Sequence, residues 1–157
     1  MPVERGEIRA LTVLQPFASA LMFGPKDPEN RFQRLHLPEG GIWVAIHAGL
    51  RLYPANEAGI REVWPECPAF KDMVRGSILG LRHLKEIRRY DPSQDAELRD
   101  DPWATGPWCW MFGRRLIAPE PIPHRGMQGL WRPAPDALAR LEILLEENGL
   151  SPTNFGE

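Results

Sequence analysis

Cysteine is scarce in this chain. Only Cys67 and Cys109 occur in 157 residues, in unrelated contexts and without paired spacing, so neither a disulfide framework nor a cysteine zinc site is supported. His36, His47, His83 and His124 also lack metal-ligand spacing, and no metal or cofactor is expected. No apolar run approaches the length of a membrane span, and no long apolar region follows a basic start. The sequence therefore predicts no membrane partner, no signal peptide and a cytoplasmic location. A basic excess is missing too, because the formal net charge is -2. That argues against coating long nucleic acid through phosphate contacts, which needs many cations, although a local basic cleft is still allowed. Walker and Gly-x-Gly phosphate loops, a recognisable Ser/His/Asp context, internal repeats and low-complexity tracts are all missing.

What is present fits one domain over residues 1–157, since 43% of the residues are apolar and the length suffices for a core. Ile8 to Leu14 reads as a first strand, followed by an amphipathic helix from about Gln15 in which Leu14, Phe17, Ala18, Leu21 and Met22 share a face. Pro16 suits its first turn, and Gly24 is expected to stop it in the left-handed conformation, with Pro25 preventing continuation. Glu29 to Arg34 reads as extended, and Leu35 to Gly41 as a turn. Ile42 to Ala48 is almost continuously apolar and predicts a buried strand. Ala55 to Trp64 predicts a short helix ended by Pro65, with Ile60, Val63 and Trp64 on one side. Gly76 to Arg89 predicts a strand whose later basic residues, Arg82 to Arg89, form a solvated face. Tyr90 to Ala104, rich in Asp and Pro, predicts an exposed excursion. Trp108 to Ile117 alternates with period two and predicts a strand with Trp108 and Trp110 in the core. Pro135 opens a last helix, about 135–148, with a Leu138, Leu141, Leu144, Leu145 stripe and Gly149 as its stop.

The chemistry concentrates in Gly24-Pro-Lys26-Asp-Pro-Glu29-Asn-Arg31. On a strand Glu29 and Arg31 point to one side, so Lys26, Glu29 and Arg31 can converge on one small volume. Such a cluster can clamp an anion or carry protons. It can equally be a surface ion-pair set that fixes the loop, each pair worth about 0–1 kcal/mol. Gln15 and Pro16 either present an amide and free helix N–H groups to a ligand or merely cap the helix towards water. Phe17 fits the apolar stripe and reads as core. His47, inside an apolar strand, reads as a hydrogen-bonded core residue that could still change protonation near neutral pH. Trp131, beside Gln128, is suited either to stacking on a base or to ordinary packing. Arg114, Arg115 and Arg125 add positive potential on what reads as a solvated rim.

Gln15-Pro-Phe17, Gly24-x-Lys26-x-x-Glu29-x-Arg31, Ile46-His47-Ala48 and Arg125-Gly126-x-Gln128-Gly129-Leu130-Trp131 together resemble the ASCH domain family of the PUA-like superfamily, across roughly residues 8–132. The resemblance implies a mixed α/β (α+β) fold built as a small PUA-like β-barrel with flanking helices. It also implies a cleft beside the Gly-x-Lys loop and a role in nucleic-acid or nucleotide recognition, with Gln15, Pro16, Lys26, Glu29, Arg31, His47, Gln128 and Trp131 as ligand-binding candidates. One branch of the family resembles a minimal amidohydrolase of N4-acylated cytidine, using a lysine, a threonine three residues later and a more distant carboxylate. Here Lys26 holds the lysine position and Glu29 stands in place of the threonine.

Three functions follow as expectations. The first is a binding module for an unpaired or modified nucleotide of RNA, with single-stranded DNA as a further partner. In it Lys26 and Arg31 meet phosphate or base oxygens, Glu29 and Gln15 read polar edges, and Trp131 stacks. The second is a small hydrolase with Lys26 and Glu29 as its catalytic pair, although a carboxylate flanked by two cations accepts protons poorly. The third is a protein-interaction module in RNA metabolism.

Overall fold

The computed structural model describes residues 2–156. In chain order these form β1 (Ile8–Gln15), α1 (Phe17–Phe23), β2 (Pro28–Arg31), β3 (Ile42–Leu52), α2 (Glu57–Val63) and a 3-10 turn (Phe70–Asp72). Then follow β4 (Ser77–Arg89), α3 (Ala96–Asp100), β5 (Trp108–Pro123), β6 (Leu130–Trp131) and α4 (Pro135–Glu147). The fold is mixed α/β: one six-stranded sheet in the order β2-β5-β4-β3-β1-β6, flanked by helices. Only the β1 and β3 pair is parallel, while the other neighbours run antiparallel.

The continuous apolar run of β3 is explained by cover on both of its faces. Ile42, Val44, Ile46 and Ala48 point inward with Leu11, Val13, Phe112 and the buried side of α1. Trp43 and Ala45 point the other way, with Ala10, Leu81 and Leu116, into a second core sealed by Leu141, Leu144 and Leu145 of α4. Pro135 opens α4 and Gly149 follows it at φ +69°, a left-handed stop of the kind the sequence predicts.

The sheet is open in its hydrogen bonding yet curls towards closure. Between β2 and β1 lie three strands, so a flat sheet would hold the two about 19 Å apart. Arg31 of β2 nevertheless donates from Nη2 to the Thr12 carbonyl of β1 at 3.0 Å. That one guanidinium spans the mouth of a barrel-like half-cylinder, and the cleft described below lies at this mouth.

Two expectations need correction. Gly24 is extended, at φ -115° and ψ -166°, and not left-handed. The residue is small because a Cβ there would lie 2.7 Å from the Trp64 ring. Arg82 does not belong to a solvated face: it is 2% exposed and faces the barrel interior. Its guanidinium donates to the carbonyls of Leu21, Lys26, Phe112 and Gly113 and to Asp27 Oδ1, a set of acceptors that makes burial of the charge tolerable. The Asp- and Pro-rich stretch is exposed along most of its length, as the sequence predicts, yet it is anchored to the fold. It contains α3, with Leu98 fully buried against Cys109 and Met111, and then packs Trp103 in a cluster with Ala20 of α1, Trp64 and Phe70.

Candidate functional site

α1 delivers the chain to the Gly24 loop, and β2 carries it away again. Arg82 fastens this loop from beneath: Nη1 reaches the Lys26 carbonyl at 2.7 Å while Nη2 reaches Asp27 at 2.9 Å. Held so, Lys26 turns its side chain inward, where only 2% of it stays exposed. Its ammonium donates to the Pro28 carbonyl and lies 3.3 Å from Glu29 Oε1. The other Glu29 oxygen accepts from Arg31 Nη2 at 2.9 Å and from Nε at 3.1 Å. The predicted convergence of these three residues is what the structure contains.

These groups line a cleft of about 560 Å³. Phe17, Tyr53, Trp103 and Ile60 give it apolar walls, Thr105 is a polar member of the lining, and Thr12 takes part through its carbonyl, which Arg31 holds. Phe17 packs edge-on against Tyr53 at 5.0 Å and against Trp103 at 6.3 Å. The Lys26 ammonium sits 5.7 Å from the Phe17 ring centre and 5.9 Å from that of Trp103, within range of a cation–π attraction. Burial pushes the lysine below its ordinary pKa of 10.5, and the Glu29 charge opposes that fall. Of its three donors, two are taken by Pro28 and Glu29, and no acceptor among the described residues takes the third.

Asn30 fixes the segment that leads into β5. Its Oδ1 accepts from the backbone N–H of Thr105 and Gly106, each at 2.9 Å, while Nδ2 donates to the Trp103 carbonyl at 2.9 Å. One side-chain amide therefore fixes the segment that overhangs the cleft. On the other flank Asn56 caps α2, accepting from Ala58 and Gly59 N–H, and α2 presents Ile60 and Val63 to the hollow. No protein-family model matches this chain, and no curated protein matches it in sequence. The arrangement is a fixed acid between two cations, one of them buried, in an aromatic slot open to solvent.

The remaining candidates lie elsewhere. Gln15 is fully buried and not turned to water, with Nε2 donating to the Val74 carbonyl and Oε1 accepting from the Ser19 N–H, so the amide ties α1 to the segment before β4. Pro16 is the residue capping the N-terminus of that helix, outside the cleft lining. His47 pairs with Thr12 across β1 and β3, on the sheet face opposite Leu11 and Val13. Its Nε2 donates to the His124 carbonyl at 2.7 Å, and Nδ1 meets the Thr12 hydroxyl at 3.2 Å. That hydroxyl also accepts from Trp131 Nε1 at 3.2 Å. Gly126 packs so tightly here that a Cβ would lie 2.9 Å from both Thr12 Oγ1 and the His47 ring. Burial lowers the His47 pKa below 6.5, against the pull of its carbonyl partner. Trp131 is buried, with its ring 5.5 Å from that of His47 and 4.8 Å from that of His124. Gln128 is exposed beside a separate hollow that His47 also lines.

Sequence reasoning missed Asn30, Tyr53, Trp103 and Thr105 as cleft residues. Phe17, read as core, is half-buried and forms part of the wall. The available signal was the isolated tryptophan in an otherwise polar segment, which a truly exposed excursion has little reason to contain. Among the described residues no group of His, Cys, Asp and Glu could hold a metal ion, and no helix is long and apolar enough to cross a membrane.

Proposed function

We propose that this chain is a nucleic-acid recognition module of the ASCH type, whose cleft receives one unpaired or modified nucleobase of RNA. Single-stranded DNA presents the same base faces and is a weaker form of the same partner. The observation that carries this reading is the buried Lys26, aimed between two aromatic rings and paired with a carboxylate that Arg31 holds in place. A cytosine edge offers a donor beside acceptors, which matches the remaining lone pair on Glu29 Oε1 beside the free donor of Lys26. Phe17, Tyr53 and Trp103 supply the apolar contact that a flat base needs. Calorimetric titration with cytidine and short single-stranded RNAs should give saturable binding that falls more than tenfold in Lys26→Met. No saturation across a panel of RNA and DNA oligonucleotides would sink the proposal.

The depressed pKa of Lys26 favours a second reading, an amidohydrolase of an N4-acylated cytidine. A lysine so tuned can relay a proton between water and the departing amine while Arg31 stabilises the developing oxyanion. Incubation with N4-acetylcytidine separates the two readings. Turnover by the wild type that disappears in Lys26→Met supports hydrolysis, and tight binding without turnover supports recognition alone.

A further inference from the structure

We infer that a second, arginine-lined groove beside the cleft holds the phosphates of the same strand whose base the cleft receives, with Phe32 as a stacking platform between them. This inference rests on the nucleotide reading of the cleft. The groove encloses about 1030 Å³ and is lined by Arg9, Arg34, His36 and Arg132 together with Trp110 and Trp131. No carboxylate is among its described lining residues. In a chain of net charge -2, that concentration of cations is a local feature and not a reflection of composition.

Arg9 adds a buried, incompletely paired cation beneath the groove. Although the residue is 5% exposed, its Nη2 has no hydrogen-bond partner among the described residues. Nε pairs with Glu7 at 2.6 Å, and Nη1 donates to the Leu130 carbonyl at 3.1 Å. An orphaned charged donor is costly, and this one, buried beneath the groove, adds to its positive potential without itself reaching the surface. Glu7 also reaches Arg132 at 3.7 Å, while Arg34 has no ion-pair partner among the described residues and lies 5.5 Å from the Trp108 ring. Planar guanidinium groups of this kind suit phosphate oxygens.

The two hollows are joined by chain geometry. Trp110 lines the groove and adjoins a cleft residue: the Arg31 guanidinium sits 6.0 Å from its ring, and the indole N–H donates to the Gln33 carbonyl on the groove side. Arg31 and Arg34 are separated by at most about 10 Å of backbone, the reach of adjacent nucleotides. Between them Phe32 is 90% exposed. An exposed ring flanked by arginines, next to a basic groove, is the arrangement that binds single strands through backbone charge and base stacking.

Three probes test this: cytidine, a short single-stranded RNA, and an abasic sugar-phosphate strand of equal length. The variants are the exposed double substitution Arg34→Ala with Arg132→Ala, and Phe32→Ala. The double variant should bind the RNA about tenfold more weakly or worse, with cytidine affinity unchanged. Its slope of log K against log salt should be shallower by about 1.4, for two lost phosphate contacts on a single strand. Phe32→Ala should weaken RNA roughly five- to hundredfold and spare the abasic strand. An abasic strand that ignores the wild type, or binds the double variant as well as the wild type, overturns the groove. Arginine-dependent binding of the abasic strand without any binding of cytidine keeps the groove and overturns the cleft reading.

Discussion

Lys26 is an expensive residue to bury, because its charged form loses most of its hydration and recovers only part through Glu29 and the Pro28 carbonyl. Lys26→Met keeps a flexible chain between Phe17 and Trp103 and leaves Glu29 paired with Arg31. We expect the variant to fold with neutral-pH stability equal to or above that of the wild type, although it loses the ligand. A pH signature accompanies this. The folded pKa of Lys26 lies below 10.5, so the native state releases its proton before the unfolded chain does. Wild-type stability should therefore rise with pH in the window beneath 10.5, and urea midpoints of Lys26→Met should lack that rise. His47 works in the opposite range. Its neutral ring satisfies both nitrogens, through the His124 carbonyl and the Thr12 hydroxyl, and burial lowers its pKa below 6.5. Its contribution is complete above pH 6.5 and is lost as pH falls through the lowered folded value. Thermal melts from pH 7.5 down to 4.5 should show less acid destabilisation in His47→Gln than in the wild type. Equal slopes for the two proteins would mean that other groups govern the acid limb.

At the scale of elements, the cleft is a strand edge bound to a loop by one amide. Asn30→Ala removes the acceptor of the Thr105 and Gly106 N–H groups and the donor to Trp103, while β2 keeps its pairing with β5. The expected loss is about 1–3 kcal/mol, with faster hydrogen exchange at the Thr105 and Gly106 amides than elsewhere. Unchanged protection at those two amides would show that the overhanging wall is held by packing alone. Elements with one dominant determinant were legible in the sequence: β3 through its unbroken apolar run, α4 through its leucine stripe between Pro135 and Gly149, and the Lys26–Glu29–Arg31 cluster through strand periodicity. Where two distant segments decide the outcome, local pattern gave the wrong answer. Arg82 reads as a surface cation until the carbonyls of the Gly24 loop and β5 are placed around it. Gly24 reads as a left-handed stop until the Trp64 ring takes the space of its Cβ. Trp131 and His47 follow the family-like motifs, yet strand alternation turns them to the face opposite the inner core, away from the Lys26 cleft.

The whole molecule divides its labour between the two faces of one sheet. The inner face, with α1 and the bridge from Arg31 to the Thr12 carbonyl, shapes the mouth in which the cleft lies. The outer face is sealed by α4, where Leu141 and Leu145 are fully buried beside Trp43, Leu81 and Leu116. Stability drawn from the outer core should thus be separable from recognition at the mouth. Leu141→Ala removes a fully buried branched side chain from that core, a change that costs about 2–5 kcal/mol according to how far the cavity collapses. Because α4 contributes no residue to the cleft, the folded fraction of this variant should bind cytidine with wild-type affinity. Chemical denaturation and calorimetric titration at a temperature where the variant is still folded would measure both quantities on one sample. A fall in affinity that tracks the fall in stability would mean that the outer core sets the curl of the sheet, and with it the spacing of β1 and β2 across the mouth.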